Sequence, residues 1–393
     1  MLDLGGTYRA LNPQETLAKI EPLLSHFGIT RVANITGLDN IGIPTYMAIR
    51  PMSKSLTTAQ GKGITHELAK ISAIMECVEC WHAENLPAPD LVGSYHDLHR
   101  HYPLLPLDSQ INKDVFLAFA LQELNWLEMP WLRAVELFSG KEIYIPYQLV
   151  NMDFASRQGL QQFFIYSTTN GLASGNTYEE ALCHGLYELI ERDCESDFVV
   201  QSNVNVHKID STTIRAPHLI ELIGRLNCKE VKLDLYEMTN DMQIPAYMAY
   251  LHDLTGVRLG GIYRGAGCHF SDVVALSRAI TEAVQSRLTI ISGTRDDAYP
   301  LTYKTLQKNT LDLTAQAFEA SAQKTFVERP VPMGFTNCID EMLVRIKRRG
   351  LEQVIVYDHS KKNLGISVLH SIVPGLKMTN SLHAHTGYSH CDL

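Results

Sequence analysis

One helical signature occurs three times in this chain, and no other feature of its 393 residues limits the possible folds as much. Residues 65–80 and 177–192 share Thr65 with Thr177, Glu67 with Glu179, Ala69 with Ala181, Glu76 with Glu188 and Glu79 with Glu191, at a constant offset of 112. A weaker copy runs from Ser271 to Arg287, offset from the second by 94, with Gln285 where a glutamate stood. Regular periods mark solenoids and propellers. The unequal spacing here predicts one large α+β domain over residues 1–393, with helices and mixed or antiparallel sheets interleaved.

Each copy reads as a helix. Thr65, Thr177 and Ser271 are good N-caps, and Thr177 with Glu180 fits a capping box. At about 100° per residue, positions 72, 76 and 79 fall within about 60° of one another on one face. So do 184, 188 and 191, and 278, 282 and 285. A lone E-x-x-E is usually a solvated face. Here Ala73, Ile74, Met75 and Val78 surround one stripe, and Gly185, Leu186, Leu189 and Ile190 the next. Carboxylates in such apolar helices need partners or a metal.

Between the helices, a hairpin is predicted over Leu132–Val150 around Ser139-Gly140-Lys141. Further strands are expected at 230–236, 244–251, 354–357 and 366–373, and helices at 303–324 and 339–349. The prolines of 85–107 predict a linker between an N-terminal lobe (8–85) and the later motif helices (165–300), with a variable part at 300–393. Net charge is −9, so this is no polycation built for nucleic acid. The longest apolar run, 115–121, is far short of the ~20 residues of a membrane helix. The opening residues show no basic segment followed by an apolar stretch, so no signal peptide is expected. The cytoplasm is the expected location, with the eight cysteines reduced and mostly buried.

Glu76, Glu79, Glu188 and Glu191, with Glu282 and Gln285, offer oxygen donors and little else, which suits a hard cation such as Mg²⁺, Ca²⁺ or Mn²⁺. Mg²⁺ normally bridges carboxylates to substrate phosphates. Arg192, Arg278, Arg287 and Arg295 lie on or just after the stripes, and guanidinium forks match phosphate. Lys62, between Gly61 and Gly63 before the first helix, adds a cation near a positive helix end. Leu56 stands where a phosphate-binding loop ending in Gly61-Lys62 would need glycine, so the usual ATPase loop is missing.

Residues 28–44 (GITRVANITGLDNIGIP), Gly61-Lys62-Gly63, Ser72-x3-Glu76-x2-Glu79, residues 169–177 (TNGLASGNT), Glu188-x2-Glu191-Arg192 and Arg278-x3-Glu282-x2-Gln285 together resemble the YcaO proteins. The resemblance runs from about residue 8 to 300. It implies ATP held without the usual loop, and Mg²⁺ held by Glu76, Glu79, Glu188 and Glu191. Ser72, Asn176, Arg192 and Gln285 match the family's nucleotide contacts, and Arg9 and Thr16 supply those of the N-terminal segment. His184 departs from the serine that often opens the second motif.

The family activates a peptide backbone amide. A nucleophile adds, the oxyanion is phosphorylated, and phosphate leaves. A neighbouring Cys, Ser or Thr gives an azoline; external sulfide gives a thioamide. Azoline-forming relatives typically end in a proline-rich tail. This chain ends in His383, His385, His390 and Cys391, with no proline after Pro374. That ending, and the segment from Gly37 to Pro44, favour thioamidation with a TfuA-like partner over cyclodehydration with a leader-binding partner. An ATP-binding accessory role for another enzyme is the third reading, and homodimerisation is a family expectation.

Cys77-x-x-Cys80 reads as core or near-site cysteines; a persulfide relay through Cys80 has no independent support in the sequence. Trp81, Trp126 and Trp131 are expected to pack, and His101 to face solvent.

Overall fold

The computed structural model describes residues 1–109, 123–155, 165, 167–201, 207–226, 230–255, 261–295 and 323–377. In chain order the elements that place the stripes are β1 (Arg31–Asn34), β2 (Thr45–Ile49), β3 (Thr58–Lys62) and helix α1 (His66–Glu84). They continue with β4 (Leu91–Gly93), the hairpin β5 (Met129–Glu136) and β6 (Lys141–Pro146), β7 (Leu172–Gly175) and α2 (Tyr178–Gln201). Next come β8 (His207–Asp210), β9 (Val231–Glu237), β10 (Ala246–Asp253), β11 (Ile262–Cys268) and α3 (Asp272–Ser292). Last are β12 (Gln323–Thr325), α4 (Phe335–Arg348), β13 (Ile355–Asp358) and β14 (Ser367–Ile372).

β1–β2–β3 form one antiparallel sheet. β4–β5–β13–β14–β7, with β6 beside β5, form a second. β11–β10–β9–β8–β12 form a third, in which β8 and β12 run parallel. The expected α+β architecture stands. Two local readings change. The segment at 85–107 contains β4, paired with β5, and a helical turn at Tyr95–Leu98, so its prolines punctuate structure instead of replacing it. Gln323 and Lys324, expected to end a helix over 303–324, lie with Thr325 in an edge strand on β8, and 303–322 fall outside the described residues.

The sequence echo has a structural counterpart. Each striped helix follows a strand and packs on it: β3 before α1, β7 before α2, β11 before α3. Each helix also touches the strand of the next unit, α1 on β7, α2 on β11 and α3 back on β3. The three units thus close a ring, and the polar stripes face its middle. Thr65 Oγ1, Thr177 Oγ1 and Ser271 Oγ accept from the backbone N–H groups of Leu68, Glu180 and Val274, as their sequence positions predicted.

Close strand–helix approach depends on glycine. A Cβ on Gly61 would lie 2.0 Å from the Ala73 nitrogen, and one on Gly265 2.2 Å from that of Ala283. Both contacts are with helix backbone, which cannot swing aside. Gly61→Ala is therefore expected to cost about 3 kcal/mol, the upper range for overpacking, read as a lower urea midpoint. A change within about 0.5 kcal/mol would show that α1 can lift off β3.

Candidate active site

The middle of the ring holds the glutamates. Glu79 Oε1 accepts from the Ser174 amide at 2.8 Å and its hydroxyl at 2.6 Å, joining α1 to β7. Glu188 Oε2 accepts from the Gly171 amide at 3.3 Å. Lys62, at the end of β3, pairs with Glu282 of α3. Arg192 reaches Glu195 at 3.1 Å and Glu188 and Glu191 at 3.9 Å. Gln285 donates to the Gln60 carbonyl at 2.8 Å, closing the ring between α3 and β3. Ser72 stands one turn before Glu76 on α1.

Glu76 keeps solvent access, Glu79 and Glu188 are half-buried, and Glu191 is buried. All of them are nonetheless hemmed in by protein, so they line a recess, not an outer surface. Burial pushes Glu76 up to about 7, against Lys62 and Arg295, with Glu188 and Glu282 adding to the push. Burial likewise lifts Glu79 to about 8, against its bonds from Ser174. Burial raises Glu188, and burial with Glu282 raises Glu191. For Glu282 burial is outweighed by Lys62 and Arg192, and its carboxyl is held low. The recess therefore carries more carboxylates than its described cations can neutralise.

A hard divalent cation fits that excess. Among the described residues no three His, Cys, Asp or Glu side chains form a ready-made cage. Mg²⁺ does not require one, since it keeps waters and shares its shell with phosphates.

A second wall is basic. Arg9 lies 3.5 Å from Glu180 of α2. Asn176 donates to Thr16 Oγ1 at 3.2 Å, and its backbone N–H donates to Glu180 Oε2 at 3.0 Å. Arg9, Thr16 and Asn176, distant in sequence, are thus gathered around one buried carboxylate. Glu180 makes only half of the predicted capping box. Its carboxylate binds the Asn176 and Ala10 amides, because the N-terminal segment lies across the start of α2. Arg278 lies on the same side, 2.6 Å from His184. Arg287 does not: it is fully buried, bound to Asp39 at 2.6 Å and Asp253 at 3.2 Å. Two residues past Gln285, and so about 200° around the helix, it points away from the recess and fastens α3 to β10 and the 36–39 turn.

Residues 60–377 match the model of a family described as YcaO cyclodehydratases, ATP- and Mg²⁺-binding. The chain belongs to the YcaO family. It is 34% identical over 382 residues to an uncharacterized protein in the tfuA 3′ region of Rhizobium leguminosarum bv. trifolii, covering 94% of this chain and 89% of that one. Its fold superposes, with a TM-score of 0.73 and 22% identity, on YcaO from Methanopyrus kandleri bound with AMPPCP and Mg²⁺, over 99% of this chain and 98% of that one. It also superposes on a heterocyclase in complex with substrate and cofactor, with a TM-score of 0.76 and 21% identity, over 94% of this chain and 53% of that one.

Cys77, Cys183, Cys194, Cys268 and Cys338 are free and buried, and Cys80 is free and half-buried. Burial pushes the Cys77 thiol up to about 12 and the Cys80 thiol up as well, so neither is a ready thiolate. Trp131 is fully buried and Trp81 packs on His26 and Phe27. Trp126 is 62% exposed, its indole stacked 3.6 Å from the His96 ring, so it packs on the surface and not in the core. His101 faces solvent. No described helix is long and apolar enough to cross a membrane. The tail with His383, His385, His390 and Cys391 lies outside the described residues.

The raised carboxyls predict a proton signature. Without a cation the folded protein holds protons on Glu76 and Glu79 that the unfolded chain loses above about 4.5. Stability of the unliganded protein should therefore fall as pH rises from about 4.5 to about 8. A cation needs the carboxylate form, so Mg²⁺–nucleotide binding near pH 7 should release protons and tighten as pH rises. Calorimetry in two buffers of different ionisation enthalpy measures this. Equal heats in both would contradict the raised values.

Proposed function

We propose that this protein uses ATP and Mg²⁺ to activate a backbone amide of a peptide or protein substrate, and that its product is a thioamide made with sulfide and a TfuA-like partner. The observation that carries the proposal is the two-walled recess. Glu76, Glu79, Glu188 and Glu191 would hold Mg²⁺. Arg192, Lys62 and Gln285 border the same space, and Arg9, Thr16, Asn176 and Arg278 gather beside it around Glu180 and His184 of α2. Bound there, ATP would supply the phosphoryl group that turns an amide oxygen into a leaving group.

The chain's own residues do the rest by placement. Phosphoryl transfer asks for alignment and charge neutralisation more than for a protein nucleophile. The described thiols near the stripe are held protonated, which fits a nucleophile supplied from outside. The relative in the tfuA region supports a TfuA-like partner and hence sulfide.

A second reading is cyclodehydration of Cys, Ser or Thr, favoured by the family's description and by the heterocyclase likeness. Intact mass of a peptide encoded beside this gene separates the two, after incubation with the protein, ATP, Mg²⁺, sulfide and any TfuA-like protein encoded nearby. Exchange of one oxygen for sulfur is the expected result. Loss of one water would establish the azoline, and an unchanged peptide with ATP bound would favour an accessory role.

A further inference from the structure

The residues that open the three stripes are Ser72, His184 and Arg278. Two of them touch. Arg278 Nη2 lies 2.6 Å from His184 Nε2, joining α2 to α3 at the rim of the basic wall. A guanidinium can only donate, so His184 Nε2 must accept, which fixes its proton, when the ring is neutral, on Nδ1. Burial and the surrounding cations Arg278, Arg9 and Lys62, with His269 beside them, hold the imidazole well below its ordinary value and so in that acceptor form.

Arg278 has an unusual set of partners. Lys62, Arg192 and Arg287 each sit on carboxylates. Arg9 lies 3.5 Å from Glu180. No described carboxylate lies within ion-pair distance of Arg278, whose hydrogen-bond partner is the uncharged His184. Burial and the like charge of Arg9 both work against its cation, and Glu191 only partly compensates. A charge placed this way is poised for an anion that arrives with the ligand.

We propose that His184 is a positioning residue: its neutral imidazole holds the Arg278 guanidinium toward the recess, leaving that charge free for a phosphate oxygen of the bound nucleotide. A carboxylate at 184 would hold Arg278 equally well but would neutralise it. A small hydroxyl would leave it loose. The inference rests on the proposed nucleotide site.

The test is the dissociation constant of Mg²⁺–AMPPCP for wild type, H184L, H184Q and H184E, alone and in an R278Q background, with thermal midpoints recorded for each. H184L, which lacks an acceptor, is expected to weaken binding about tenfold or more. H184Q, whose side-chain oxygen can accept, should recover most of it, and H184E should bind no better than H184L. In the R278Q background H184L should add less than about twofold, because the two residues act through one interaction. Nitrogen NMR of the wild-type imidazole should show the Nδ1–H tautomer from about pH 8 to about pH 6. The inference is overturned if H184L binds like wild type, if H184Q fails to rescue while remaining folded, or if H184L costs as much without Arg278 as with it. Absence of AMPPCP binding by wild type, with the NMR tautomer as expected, would instead sink the nucleotide reading and this inference with it.

Discussion

Changing Glu76 and Glu191 together to glutamine is expected to lower ATP turnover by about a thousandfold or more, while leaving the protein folded. The two carboxylates come from different helices, α1 and α2, and face one recess in which burial and neighbouring glutamates already raise both. Glutamine keeps the shape and removes the charge. Without Mg²⁺ the variant should be at least as stable as wild type above about pH 7, since an uncompensated repulsion has been taken away. Activity loss with retained stability would mark the glutamates as cation ligands. Turnover within tenfold of wild type would mean the acidic wall serves the fold alone.

The second large effect lies at Arg287 and has the opposite character. Arg287→Met should destabilise the protein by about 3–5 kcal/mol, because it strands Asp39 and Asp253 without their buried partner. Replacing all three by apolar residues should recover most of that loss, since a buried ion cluster is costly mainly when half of it is removed. Urea denaturation of the single and triple variants decides the matter. Nucleotide affinity of the folded Arg287→Met protein should change little. A selective loss of affinity at unchanged stability would restore Arg287 to the phosphate contacts.

These two arginine positions show where the sequence was informative and where it was not. Proximity in sequence grouped Arg278 and Arg287 as phosphate candidates, but nine residues at about 100° each set them on opposite faces of α3, one at the ring's middle and one locked behind it. Phase relative to the next unit depends on how closely Gly61 and Gly265 let helix and strand approach, which is a tertiary property. The three helices, their caps and the glutamates were legible because cap chemistry and 3.6-residue spacing are local. Glu180 was visible only as a capping residue. Its larger role depends on Arg9 and Ala10 crossing from the other end of the chain. Likewise His184 read as a departure from a motif, and only its 2.6 Å contact with Arg278 gives it work to do.

The ring arrangement also explains why an all-oxygen site can stand open without collapsing. Ser174 ties α1 to β7, Arg264 pairs with Glu195 at 3.3 Å to tie α2 to β11, and Lys62 and Gln285 tie α3 to β3, so the stripes are held apart by the frame. A ligand then meets a shape already formed, with little ordering cost at binding.

The measurement that tests the central claim most directly is a calorimetric titration of the protein with AMPPCP, with and without Mg²⁺, near pH 7. The account predicts saturable binding that requires Mg²⁺, releases protons, and is lost in the Glu76→Gln, Glu191→Gln variant. Binding of equal strength without Mg²⁺, or no binding at all, would contradict it.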